Sequence, residues 1–114
     1  MARPQEFTIS NHALDRLMER GGKVTAPIRK VTNVRERQHA AHALLCEGKE
    51  TKAFTNDTRF MTNIYEKYGY DRKYVAFLAH GLIFLGVVNE RSQVIVTVLA
   101  KDEHYVKHFK HAKK

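Results

Sequence analysis

The sequence predicts an α+β domain: a short N-terminal strand, two or three helices, then a three-strand antiparallel meander packed on the helices, and a basic C-terminal tail. Three observations carry this. Residues 74–100 hold three runs rich in β-branched and aromatic residues, separated by short turn segments. Residues 11–45 carry apolar side chains at helical spacing instead. At 114 residues and 43% hydrophobic, the chain is long enough for one core and too short for two. Residues 1–100 are therefore read as a single domain, and 101–114 as a basic tail or short helix.

The elements follow in order. Glu6 to Ile9 is a short extended segment. Ser10 offers an N-cap hydroxyl, with Ile9 and Leu14 placed as a hydrophobic staple across it. The first helix runs from Asn11 to Arg20, with Ala13, Leu14, Leu17 and Met18 as its apolar face, and stops at Gly21-Gly22. A second helix starts near Pro27, which suits a first turn, and ends by Gly48, with Thr32-Asn33 as a possible break into two pieces. From Lys49 to Asp71 the pattern is mixed. Phe60, Met61, Ile64, Tyr65 and Tyr68 fit a helix capped by Asp57, the reading preferred here, although Phe60, Thr62 and Ile64 also fit a strand.

The meander consists of Tyr74–Ala79, Leu82–Val88 and Gln93–Ala100. His80-Gly81 is a two-residue hairpin loop and Asn89–Ser92 a longer one. Those loop lengths pair Phe77 with Phe84 and Phe84 with Thr97. One face then holds Tyr74, Ala76, Leu78, Ile83, Leu85, Val87, Val94, Val96 and Val98, and is expected to carry the helices. The other holds Val75, Phe77, Phe84, Gly86, Ile95, Thr97, Leu99 and, past the strand, Lys101. A loop, a partner or a bound base is expected to cover part of that second face.

Composition narrows the functional classes. Cys46 is the only cysteine, which rules out an intramolecular disulfide and argues against an oxidising compartment. The first residues, Met1 to Glu6, lack the apolar core of a signal peptide. The longest apolar stretch, Tyr74 to Val88, is broken by His80-Gly81 and Gly86 and is too short to span a bilayer. A cytoplasmic protein with no membrane contact is expected. Twenty Lys and Arg against twelve Asp and Glu give a formal charge of +8, with seven His besides. That balance points to a polyanionic partner, nucleic acid first and RNA before DNA.

Three constellations are candidates for chemistry. His12, Arg16 and Arg20, at i, i+4 and i+8, fall on one stripe roughly 80° wide beside the apolar face of the first helix. An imidazole next to two permanent cations suits RNA cleavage, where one group moves a proton and others hold phosphate oxyanions. The same stripe also fits a solvated face, with Arg16 paired to Glu19. His39, His42 and Cys46 share a second stripe, extended by Arg35. A structural zinc site would need a fourth ligand and no spacing motif supplies one, so no metal and no cofactor are expected; Arg35 and His39 are read as nucleic-acid contacts. The tail adds Lys101, His104, Lys107 and Lys110 to those contacts, as a docked short helix or a frayed basic arm. Tyr65, Tyr68, Tyr70 and Tyr74 cluster in sequence and fit either base stacking or an ordinary core and rim. Phosphate-loop, nucleophile-elbow and paired-carboxylate motifs are missing from the sequence, which argues against ATP-driven, serine-hydrolase and glycosidase chemistry.

The stretch Phe7 to Gly21, reading F-T-I-S-N-H-A-L-D-R-L-M-E-R-G, resembles the opening of small RelE-like proteins, in which a short strand leads into a helix of pattern H-A-x-x-R-x-x-x-R-G. The strand Val94 to Leu99, with Thr97 inside it, is similar to that group's closing strand. The group belongs to the barnase–EndoU–colicin–RelE ribonuclease fold, built from a strand, helices and an antiparallel meander. The resemblance implies a toxin-like, metal-independent endoribonuclease, with His12 as acid/base, Arg16 and Arg20 as phosphate ligands and Thr97 as a hydroxyl near the scissile phosphate. It also implies RNA as partner, ribosome-associated or not, and an antitoxin or host protein as a further one. The segment from Lys23 to Gly69 is longer than in the smallest members. The rival expectation is a non-catalytic nucleic-acid- or host-protein-binding protein, such as a phage-encoded inhibitor. Both use the same positive charge.

Overall fold

The computed structural model describes residues 2–100. The elements run β1 (Thr8–Ile9), α1 (Asn11–Arg20), α2 (Ala26–Arg29), α3 (Val34–Cys46), β2 (Lys49–Thr51), α4 (Thr58–Tyr68), β3 (Lys73–Ala79), β4 (Leu82–Val88) and β5 (Gln93–Ala100). This is the α+β order expected: a strand, helices and a C-terminal antiparallel meander packed on α1. The strands form one mixed five-stranded sheet in the order β1-β5-β4-β3-β2, with β1 parallel to β5 and the other pairs antiparallel.

Local chemistry fixes the helix starts. Ser10 caps α1 by accepting from the Ala13 N–H at 3.0 Å. Asp57 caps α4 by accepting from the Phe60 N–H at 2.9 Å. Asn33 caps α3 through Oδ1, which accepts from the N–H groups of Arg35 and Glu36, so the break read at Thr32-Asn33 is real and divides the second helix in two. A Ser10→Ala variant should lose about 1 kcal/mol of stability. Urea titration should show a lower midpoint with an unchanged slope.

The sheet is buried on both faces. On one side Leu14 and Leu17 of α1, Ile28 of α2 and Leu45 of α3 pack with Phe77, Phe84, Ile95 and Val98. On the other, Phe54 and Phe60, Met61 and Ile64 of α4 pack with Tyr74, Ile83, Leu85 and Leu99. The helices thus divide between the two faces, and α1–α3 sit on the face expected to need a loop, a partner or a base.

The hairpin β3–β4 has the expected register, Phe77 opposite Phe84. The pairing of β4 with β5 departs from expectation. Gly86 faces Ile95 and Leu85 faces Thr97, leaving Val96 as the extra residue of a bulge, so Phe84 faces Val98 and not Thr97. One inserted residue moves everything after it to the opposite face. Thr97 consequently lies on the α4 side, 2% exposed, and Val98 turns to the α1 side.

Gly86, beside the bulge, also permits a close approach. A Cβ there would lie 2.6 Å from the ring of Phe7, so the missing side chain lets that ring settle on the sheet, edge-on to Phe77 at 5.2 Å between centroids. Beyond Ile95, β1 no longer covers the outer edge of β5. α1 packs along it instead, and Arg20 Nη1 donates to the Val98 carbonyl at 2.7 Å.

Candidate functional site

An open cleft of about 650 Å³ lies where α1, α2 and α3 meet, lined by His12, Asp15, Arg16, Met18, Glu19, Arg29 and Arg37. α1 supplies the imidazole and one guanidinium from consecutive turns, because its apolar stripe of Ala13, Leu14 and Leu17 is buried against the sheet and turns His12 and Arg16 toward the cleft. His12 is exposed.

The arginines are held to different degrees. Arg29 Nη2 donates to the Met18 carbonyl at 2.6 Å and its Nε to Thr25 Oγ1 at 3.1 Å. Thr25 is fully buried and itself donates to the Gly22 carbonyl at 2.7 Å. Arg37 Nε donates to the Val31 carbonyl at 2.7 Å. Each guanidinium is therefore anchored along one edge by neutral oxygens, which orient it without neutralising it. The terminal nitrogens of Arg37 have no partner among the described residues. Arg16 pairs with Glu19 at 2.6 Å, on side chains 33% and 56% exposed. An exposed pair of this kind is worth about 0–1 kcal/mol, little enough for a phosphate to displace it.

A second groove, about 770 Å³, runs between β1 and α3 and is lined by Arg35, Gln38, His39 and His42, with residues from Gln5 to Ile9 on its other wall. Gln38 Nε2 donates to the Ile9 carbonyl at 3.2 Å and to Asn11 Oδ1 at 3.0 Å, which ties α3 to the start of α1. α3 therefore separates the two hollows, with Arg37 on one flank and Arg35, His39 and His42 on the other.

Of the residues singled out in the sequence, His12 and Arg16 share the first cleft, and Arg35 and His39 share the groove. Arg20 reaches the β5 edge, and Thr97 lies across the sheet from α1. Lys101, His104, Lys107 and Lys110 lie outside the described residues. His42 and Cys46 approach to 3.5 Å between Nδ1 and Sγ, and burial pushes the Cys46 thiol up from its ordinary pKa, which opposes the thiolate a metal would need. Among the described residues, no group of three or more His, Cys, Asp or Glu is placed to hold a metal ion. No helix there is long and apolar enough to cross a membrane.

Sequence reasoning missed Arg29 and Arg37. They sit on separate helices and converge only because the chain turns between Lys30 and Asn33. In one unbroken helix they would stand about 12 Å apart along the axis. The signal was the Thr32-Asn33 break itself.

Comparisons with known proteins found no family model, no curated protein and no solved structure that matches this chain.

Proposed function

We propose that the chain is an RNA-binding domain of the RelE-like kind that cleaves RNA without a metal, using the cleft between α1, α2 and α3. The observation that carries the reading is the convergence of His12 with Arg16, Arg29 and Arg37 in one open cleft. The element order of strand, helices and meander supports it as well. In this reaction the ribose 2′-oxygen attacks the adjacent phosphorus, the bond to the 5′-oxygen breaks, and the products carry a 2′,3′-cyclic phosphate and a 5′-hydroxyl. His12 takes the 2′-hydroxyl proton or gives one to the leaving oxygen. The three guanidiniums hold the non-bridging oxygens as charge grows on them; the planar fork suits that work. Arg35 and His39 take the strand onward along the β1–α3 groove, and an antitoxin or host protein would compete for the same surface.

A second reading, binding without cleavage, is favoured by one observation. Arg20 is engaged with Val98 and Thr97 lies on the opposite sheet face, so two groups that the resemblance assigns to chemistry stand outside the cleft. Incubating the purified protein with total RNA in EDTA separates the two. Discrete fragments with cyclic phosphate ends are expected, and intact RNA would leave only the binder. Binding itself should be electrostatic: with about five phosphates neutralised, the log–log salt slope on single strands should be about −3 to −4. A flat salt response would remove RNA binding altogether.

A further inference from the structure

Four of the chain's five tyrosines lie between residues 65 and 74, and the α1 cleft uses none of them. They gather on the α4 side of the sheet. Tyr65 and Tyr68 are one turn apart near the end of α4, and Tyr70 follows the turn at Gly69, whose φ is 118°. Tyr74 opens β3 and its hydroxyl donates to the Gly69 carbonyl at 2.7 Å. Burial pushes that hydroxyl above its ordinary pKa, with Arg72 opposing in part, so it stays a donor at neutral pH. The Tyr74 ring meets Tyr65 edge-on at 5.7 Å between centroids, and Tyr70 stacks on Tyr65 at 5.4 Å with 22° between planes.

Tyr70 is nonetheless 67% exposed, and Val34 is the only other exposed large hydrophobic among the described residues. One ring face rests on Tyr65 and the other meets solvent. An ordinary rim tyrosine would lay its ring against the core; this one is held off it by another tyrosine that is itself braced from below. Ordering such a ring before it meets a ligand lowers the entropy lost on binding. Cations lie in the same segment. Lys67 Nζ is 5.7 Å from the centre of the Tyr68 ring, Arg72 lies against Gly69, and Lys73 follows it in sequence, so residues 66–73 carry three cations against the two acids Glu66 and Asp71.

We propose that Tyr70, backed by Tyr65, is a stacking platform for an unpaired base of single-stranded RNA, with Lys67 and Arg72 taking the flanking phosphates. The proposal rests on the RNA-binding reading for its polyanion and adds a site on the face opposite the cleft. Stacking of this kind tolerates any base, since every base has a π-face.

The chain has no tryptophan, so its intrinsic emission comes from tyrosine, mostly from this cluster. The test titrates the full chain with a 2′-O-methyl RNA strand of about twelve nucleotides, which the α1 cleft cannot cleave, and with an abasic 2′-O-methyl oligomer of equal phosphate count. The base-bearing strand should bind about tenfold tighter and quench tyrosine emission. Tyr70→Ala should erase that preference and Tyr70→Phe should keep it, both with an unchanged circular dichroism spectrum. Equal affinity of the parent for both oligomers, or a preference that survives in Tyr70→Ala, overturns the platform and leaves the α1 cleft untouched. Failure of both oligomers to bind overturns the RNA reading, and the platform with it.

Discussion

Replacing His12 with alanine should lower RNA cleavage by about 10²–10⁴-fold, the usual range for one general acid or base, with the melting temperature close to the parent's. The separation is expected because His12 is exposed on α1 and has no hydrogen bond to any described residue, so the fold has little to lose. Its neighbours anchor the helix: Ser10 caps it and Leu14 and Leu17 bury its other face. The open cleft of about 650 Å³ has room for a free imidazole, so millimolar imidazole should restore part of the rate to His12→Ala, which a structural role would not allow. Arg37→Ala should behave differently, weakening binding and turnover together, because its guanidinium would hold phosphate in both the ground and the transition state. Single-turnover cleavage and equilibrium binding on both variants in one buffer check the pair. A His12→Ala protein that cleaves at the parent rate leaves the non-catalytic reading in place.

Phe7→Ala should damage the fold severely, costing about 3–5 kcal/mol of a total that for such domains is about 5–15 kcal/mol. Phe7 is 1% exposed, and its ring lies over the sheet where Gly86 leaves room for it. Gly86→Ala should also destabilise, by about 1–3 kcal/mol, for the opposite reason: the new methyl would stand 2.6 Å from that ring. The two effects should not add. In the Phe7→Ala background the methyl enters vacated space, so Gly86→Ala there should be close to neutral or should recover part of the loss. Chemical denaturation of the four proteins gives the coupling directly, and strict additivity would mean that the ring and the glycine do not share this space.

Much of the fold was legible because short-range chemistry governs it. The Ser10 and Asp57 caps, the His80-Gly81 turn and the β-rich runs each announce themselves within a few residues. The division of helices between the two sheet faces was legible in part. Leu82–Val88 has no polar alternation, as expected of a strand covered on both sides, and the second face offered only Gly86 and Thr97 as breaks. The bulge at Val96 was not legible, since Val94–Leu99 reads as a smooth strand and the extra residue is set by how β5 meets β4. The site divides the same way. His12 and Arg16 share one helix, so periodicity brings them together, and Arg35 and His39 likewise share α3. Arg29 and Arg37 join the cleft through the turn between α2 and α3, a tertiary fact that spacing cannot express. Thr97 was misplaced by the same inserted residue that shifts the register.

The claim that the α1–α3 cleft is where RNA binds is tested most directly by the salt dependence of binding in a variant lacking Arg16, Arg29 and Arg37. Each phosphate contact on a single strand contributes about 0.7 to the log–log slope. If the three guanidiniums hold phosphates, replacing all three with alanine should reduce the slope by about 2 while circular dichroism shows the fold retained. A folded triple variant with the parent slope and the parent affinity would contradict the account and move the RNA site elsewhere on the molecule.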